Sequence, residues 1–112
     1  MSINIKKKGN KGENAFANYM QSQGVKMYRN SSSGAGMQKG DINNNLDLTI
    51  EIKTVKKLNL QEAWYQVNRD ASIARNMPVL CVHYDGMRKD NWIVCIDSDD
   101  FIDMLKKYKN IE

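Results

Sequence analysis

The chain has 112 residues, 41% of them hydrophobic and 27% charged, with a formal net charge of +4. That length suffices for one domain with its own core, without a metal or disulfide staple, and the composition is ordinary for a soluble globular chain. The opening Met1–Lys8 has no apolar stretch long enough for a signal peptide, and no segment approaches the roughly 20 apolar residues of a membrane span. The expectation is a cytoplasmic protein with no membrane partner. Cys81 and Cys95 lie in separate apolar runs without C-x-x-C spacing, so zinc and redox chemistry are not indicated and buried free thiols are expected.

In chain order, residues 1–9 read as a mobile basic arm, and residues 10–112 as a single domain. Ala15, Phe16, Tyr19 and Met20 have helical spacing, which predicts a helix from Asn10 to Gln23 stopped by Gly24. Val25 to Asn30 alternates and reads as a strand, followed by a Ser/Gly-rich loop from Ser31 to Lys39. Asp41–Ile42 and Leu46–Lys53 form a predicted hairpin across Asn43-Asn44-Asn45. A helix then opens near Asn59, with Glu62 three residues on as capping partner and an apolar face of Leu60, Ala63, Trp64, Val67, Ala71 and Ala74. Val79–Tyr84 and Trp92–Ile96 read as strands. Ser98 is placed to cap a last helix that is acidic at its start and basic at its end. His83, the single histidine, reads as a packed side chain in an apolar strand, which argues against histidine-based nuclease mechanisms; the methionines and Trp64 read as core. The order is α-β-β-β-α-β-β-α: an α/β fold with a central mixed β-sheet flanked by α-helices.

Chemistry concentrates around the hairpin. Leu46-Asp47-Leu48-Thr49-Ile50-Glu51-Ile52-Lys53 alternates strictly, so a half-buried strand would turn its leucines and isoleucines one way and Asp47, Thr49, Glu51 and Lys53 the other. The turn can bring Asp41 beside Glu51. Two carboxylates and an ammonium at one point suit a hard divalent cation and a water to be activated, the equipment of metal-assisted phosphodiester hydrolysis. Against this stands the ordinary alternative of solvated charges on an open strand face. The charge distribution favours a polyanion: residues 1–75 hold twelve Lys and Arg against six Asp and Glu, while residues 76–112 hold five against seven. In the loop, Arg29 can grip a phosphate bidentately, and Ser31 and Ser33 lie among glycines that let backbone approach one closely. A flexible loop without a partner is the alternative.

Lys11-Gly12-Glu13 opening the first helix, Arg29-Asn30-Ser31-Ser32-Ser33-Gly34-Ala35, Gly40-Asp41 and Glu51-Ile52-Lys53 follow, in that order, a pattern that resembles the archaeal-type Holliday junction resolvases. They are similar too to a group of small phage nucleases of the PD-(D/E)XK superfamily. The resemblance covers about Lys11 to Lys53 and is looser beyond, at Trp64-Tyr65-Gln66, Pro78-Val79-Leu80 and the Trp92 strand. One departure is Gly40, where the superfamily has a proline before its first aspartate, a substitution the phage members share. The resemblance implies a restriction-endonuclease-like core and a Mg²⁺-dependent endonuclease, with Mn²⁺ able to substitute. Asp41, Glu51 and the Ile52 carbonyl would be metal ligands, joined by Glu13 directly or through water. Lys53 would hold or polarise the attacking water, and Gln66 would hydrogen-bond that water or a phosphate. Each has a plainer alternative: a surface salt bridge for Lys53, complementing the helix dipole for Glu13, an exposed helix residue for Gln66. Lys11, Arg29, Ser31, Ser33, Lys39, Lys56 and Lys57 are the candidate DNA contacts. The implied substrate is branched or duplex DNA rather than a small molecule, and cutting a junction symmetrically implies a homodimer. The alternatives are a phage nuclease acting on flaps, nicks or duplex ends, and a non-catalytic nucleic-acid-binding module of the same fold. A phage-encoded protein would work in the host cytoplasm.

Overall fold

The computed structural model describes residues 2–31 and 40–111, with side chains from Gly9 onward. The elements are α1 (Ser2–Ser22), β1 (Tyr28–Arg29), β2 (Ile42–Asn43), β3 (Leu48–Val55), α2 (Leu60–Ala74), β4 (Met77–Tyr84), β5 (Ile93–Cys95) and α3 (Ser98–Lys109). Their order is the one the sequence predicts. The first helix begins at Ser2 rather than Asn10, so the basic opening is helical and continues α1.

The sheet is mixed. Its order is β3-β4-β5, with β3 and β4 parallel and β4 and β5 antiparallel. Parallel neighbours need a crossover, and α2 supplies it. Asn59 caps α2, its side-chain oxygen accepting from the Glu62 N–H at 3.1 Å, as the sequence predicts. The Glu62 carboxylate meets the Asn59 side-chain amide at 3.4 Å. β1 and β2 form a separate antiparallel pair of two residues each. They join the main sheet where the Asp41 N–H donates to the Ile50 carbonyl at 2.8 Å.

One face of β3 and β4 packs Ile50, Ile52, Val79 and Cys81 against Phe16 and Ala17 of α1, with Met27 and Ile42. The other packs Leu80 and Val82 against Ala63 and Val67 of α2. A parallel pair covered on both sides differs from the half-buried strand expected of β3. Thr49 is wholly buried and Glu51 is only 7% exposed. The expected strand also starts too early. Leu46 is exposed, and Asp47 takes a left-handed φ of 59° that ends the turn, held by the Asn44 side chain, which accepts from Leu48 N and donates to Leu48 O. The Val25–Asn30 strand shrinks to Tyr28–Arg29, because Asn30 turns to hold the next segment.

The C-terminal end departs further. Asp97, not Ser98, caps α3, its carboxylate accepting from Asp99 N at 2.9 Å. None of the described residues of α3 is buried. Met104 is exposed and not core, whereas Met27 is buried and Met20 and Met77 pack against the core. His83 is a packed residue as predicted: its Nε2 lies 2.8 Å from the Arg88 carbonyl and its ring 5.0 Å from that of Trp92. Cys81 and Cys95 are free, and burial pushes the Cys81 thiol up to about 12, which keeps it unreactive. No helix among the described residues is long and apolar enough to cross a membrane.

Candidate active site

Asp41 is held from three sides before it meets any partner. Gly40 before it has φ +94°, and a Cβ there would come within 2.9 Å of the Ile50 carbonyl oxygen. A proline, with φ fixed near −65°, could not take that conformation. This is the physical reason a glycine stands at the position. Asn30, a buried residue the sequence reading did not single out, donates from its side-chain amide to the Gly40 carbonyl at 3.0 Å and from its backbone N–H to the Asp41 carbonyl at 2.7 Å. The carboxylate then closes the arrangement, its Oδ2 accepting from the Ile52 N–H at 2.7 Å. The backbone of even-numbered β3 residues therefore faces Asp41, while the odd-numbered residues serve the ladder with β4. N–H and C=O of one residue in an extended strand share an edge, so the Ile52 carbonyl also leaves β3 on the Asp41 side.

Glu51 and Lys53 project toward α2, where Lys53 lines a cleft of about 250 Å³ with Leu58, Asn59, Glu62, Ala63 and Gln66. Burial above all, then the charge of Asp41 and a side-chain hydrogen bond to it, push the Glu51 carboxyl up to about 8 against the pull of Lys53. Asp70, one helical turn beyond Gln66, adds a smaller push in the same direction. Two carboxylates this close share a proton when nothing else neutralises them. Asp70 was also missed in the sequence, although its i+4 spacing from Gln66 puts both on one side of α2.

From the opposite face comes Glu13. Gly12 lets α1 lie against β3 so closely that a Cβ there would meet Thr54 Cγ2 at 2.5 Å. Glu13 thereby reaches the same charges: burial first, then Asp41, push its carboxyl up to about 7, opposed by Arg29, whose Nη1 lies 3.8 Å from Glu13 Oε1. The same Arg29 nitrogen donates to Asn10 Oδ1 at 3.3 Å.

Glu13 and Glu51 thus each feel the charge of Asp41, Lys53 acts on Glu51, Gln66 shares the cleft of Lys53, and Arg29 pairs with Glu13. Lys11, Ser31, Lys56 and Lys57 are exposed, Lys11 lining a different cleft with Thr54, His83 and Lys89, while Ser33 and Lys39 lie outside the described residues. Among the described residues, no group of three His, Cys, Asp or Glu side chains is arranged to hold a metal ion. The donor chemistry still fits a hard cation. Two acid oxygens that share a proton, and a carbonyl on the same edge, are oxygen ligands of the kind Mg²⁺ takes while keeping several waters.

The mixed α/β fold brings an Asp, a Glu and a Lys together at β3, although the predicted hairpin does not form as a ladder, because β2 pairs with β1 and only the Asp41 backbone and carboxylate bond to β3. Residues 4–112 match the family described as "Phage putative PDDEXK endonuclease". The match spans nearly the whole chain, and the protein belongs to that family. A search of curated proteins finds no match to the chain.

Proposed function

We propose that the protein is a Mg²⁺-dependent endonuclease that cuts branched DNA, most specifically four-way Holliday junctions, as a homodimer. The observation that carries the metal-dependent part is the buried Glu51 carboxylate set against the half-buried Asp41, with Lys53 beside it. A fold gains nothing from burying two acids against each other unless a cation replaces the proton between them. Asp41, Glu51 and the Ile52 carbonyl would hold that cation, with Glu13 reaching it through water. When bound, the ion supplies Lewis-acid charge at the phosphate and lowers the pKa of a water. Lys53 orients the attacking water and offsets the charge that grows on the phosphate oxygens. Gln66, in the same cleft, hydrogen-bonds that water or a neighbouring phosphate oxygen. Arg29, Lys11, Ser31, Ser33, Lys39, Lys56 and Lys57 hold the backbone of the substrate, and the excess of cations in residues 1–75 favours a polyanion there.

The branched substrate rests on the resemblance of the motif order to the junction resolvases. The family description is equally met by a phage nuclease for flaps, nicks or duplex ends. A purely binding module fits less well, since buried carboxylates repel phosphate. The test is cleavage of a synthetic four-way junction, a flap and a linear duplex of matched sequence, each with Mg²⁺ and with EDTA. Paired, symmetric incisions in the junction alone support the resolvase reading. Equal cleavage of the linear duplex removes it, and no cleavage of any substrate removes the nuclease.

A further inference from the structure

A second cleft opens on the α1 side of β3, between that helix and the loop that joins β4 to β5. Its volume is about 440 Å³, within the roughly 300–1,000 Å³ of small-ligand sites. Lys11, Ala15, Thr54, His83, Lys89 and Trp92 line it. The loop wall is tied in place before any ligand arrives. The His83 Nε2 lies 2.8 Å from the Arg88 carbonyl, the Met87 N–H donates to the Tyr84 carbonyl at 3.1 Å, and Gly86 takes the turn between with φ +92°. Trp92 stands edge-on to Phe16, ring centroids 5.1 Å apart, and beside His83 at 5.0 Å. Its Nε1 is buried without an acceptor, a cost that a phenylalanine packed on Phe16 would avoid. What indole adds over phenyl is a broader wall to the cleft.

The lining says what fits. Aromatic rings take the flat face of a nucleobase, and ammonium groups take the phosphate attached to it. Lys11 and Lys89 are exposed, and neither is ion-paired among the described residues. They outnumber Asp85, the one acid that lines the cleft; Asp90, next to Lys89, is paired with Arg88 at 3.4 Å. A base inside a duplex is stacked on both faces and paired along its edge, so only an unpaired one can enter. Beyond Lys11, Ala15 and Lys89 the cleft runs into an open groove along α1, where Asn14, Asn18 and Tyr19 offer polar groups to the next stretch of backbone. On the other side it adjoins the acidic site. Gly12, which lines it, precedes Glu13 on α1, and Thr54 follows Lys53 on β3.

We propose that this cleft binds one unpaired nucleotide of a DNA strand, its base against Trp92 and His83 and its phosphate at Lys11 and Lys89. The choice of a DNA strand over a free nucleotide rests on the nuclease reading; the base and the anion rest on the cleft. It deepens that reading by giving the enzyme a way to favour DNA that carries an unpaired nucleotide next to the cut.

Tryptophan fluorescence in EDTA, where nothing is cut, tests it on the full chain. A Trp64→Phe background leaves Trp92 as the sole tryptophan. The probes are a short oligothymidylate, a duplex of the same length and thymidine monophosphate. The single strand is expected to quench Trp92, and the duplex to bind without quenching. Lys89→Ala should lower the slope of log single-strand affinity against log salt by about 0.7, one phosphate contact on a single strand. Trp92→Phe, followed by anisotropy of a labelled strand, should weaken single-strand binding by about 5-fold or more while duplex binding holds. Circular dichroism checks that each variant keeps the fold. Equal quenching by duplex and single strand overturns the proposal, as does wild-type single-strand binding by both variants. Quenching by the monophosphate but not by the oligothymidylate also overturns it, by making the cleft a site for free nucleotides. A protein that binds the single strand in this way and cuts no DNA would remove the nuclease reading and leave the cleft. A nuclease whose Trp92 no strand quenches would do the reverse.

Discussion

The edge of β3 and the β5–α3 end break the rule of burial in opposite directions. At the first, a carboxylate sits 7% exposed with two more acids near it; at the second, a phenylalanine and a tyrosine stand 51% and 78% exposed. Charges belong in water and aromatic rings out of it, so each region is incomplete by itself. The kind of incompleteness differs with the chemistry. Buried acids lack positive charge; bare apolar side chains lack apolar area. The first region is over-determined, with Gly40, Asn30 and the Ile52 N–H all fixing Asp41. The second is held by the β5 ladder to β4 and by the caps of α3.

If the buried acids are there to hold a cation, removing either should abolish cleavage while sparing binding. Asp41→Asn and Glu51→Gln are each expected to cut single-turnover cleavage by about 10³-fold or more, several kcal/mol of lost charge stabilisation. Affinity for DNA in EDTA should hold or rise, since one negative charge is gone. Cleavage within tenfold of wild type in both variants would reduce the acid pair to a structural feature.

Lys53→Ala is the next largest effect. It should leave Mg²⁺ binding in place and lower the single-turnover rate at saturating metal by about 10²-fold. An unchanged rate with a raised dissociation constant for DNA would make Lys53 a phosphate contact instead.

The acid pair also predicts how the metal-free protein responds to pH. Folded Glu51 and Glu13 keep their protons up to about 8 and about 7, whereas the unfolded chain releases them near 4.5. Stability from these groups is therefore fully present below about pH 4.5 and is lost as pH rises through the folded values. In EDTA the melting temperature should fall between these limits. Glu51→Gln, which mimics the protonated acid, should flatten the fall, and Mg²⁺ should restore stability most at the alkaline end. A wild-type melting temperature that climbs steadily over the same range in EDTA would mean the acids are not buried as described.

The smallest effect concerns the rim. Arg29→Ala should lower the slope of log affinity against log salt by about one phosphate contact, roughly 0.9. An unchanged slope would move the DNA path to Lys56, Lys57 and Arg69. It would also leave the ion pair with Glu13 as the role of Arg29.

The sequence by itself determined the element order and drew attention to the acidic stretch around Asp41 and Glu51. Alternation marks β3, the Asn59–Glu62 cap marks α2, and Gly40-Asp41 with Glu51-Ile52-Lys53 marks the acidic edge, because local propensity and spacing act over a few residues. It did not determine that β3 is covered on both faces, which depends on where α1 and α2 dock. Nor did it reveal Asn30, whose role is a pair of hydrogen bonds across ten residues of chain, or Asp70, which acts on Glu51 from another element. The sharpest contrast is between the two capped, amphipathic helices. Their patterns are alike, and neither pattern says which helix is covered. Among the described residues, the tertiary structure gives α2 a sheet to cover and gives α3 none, because burial is a property of what lies opposite a face and not of the face itself.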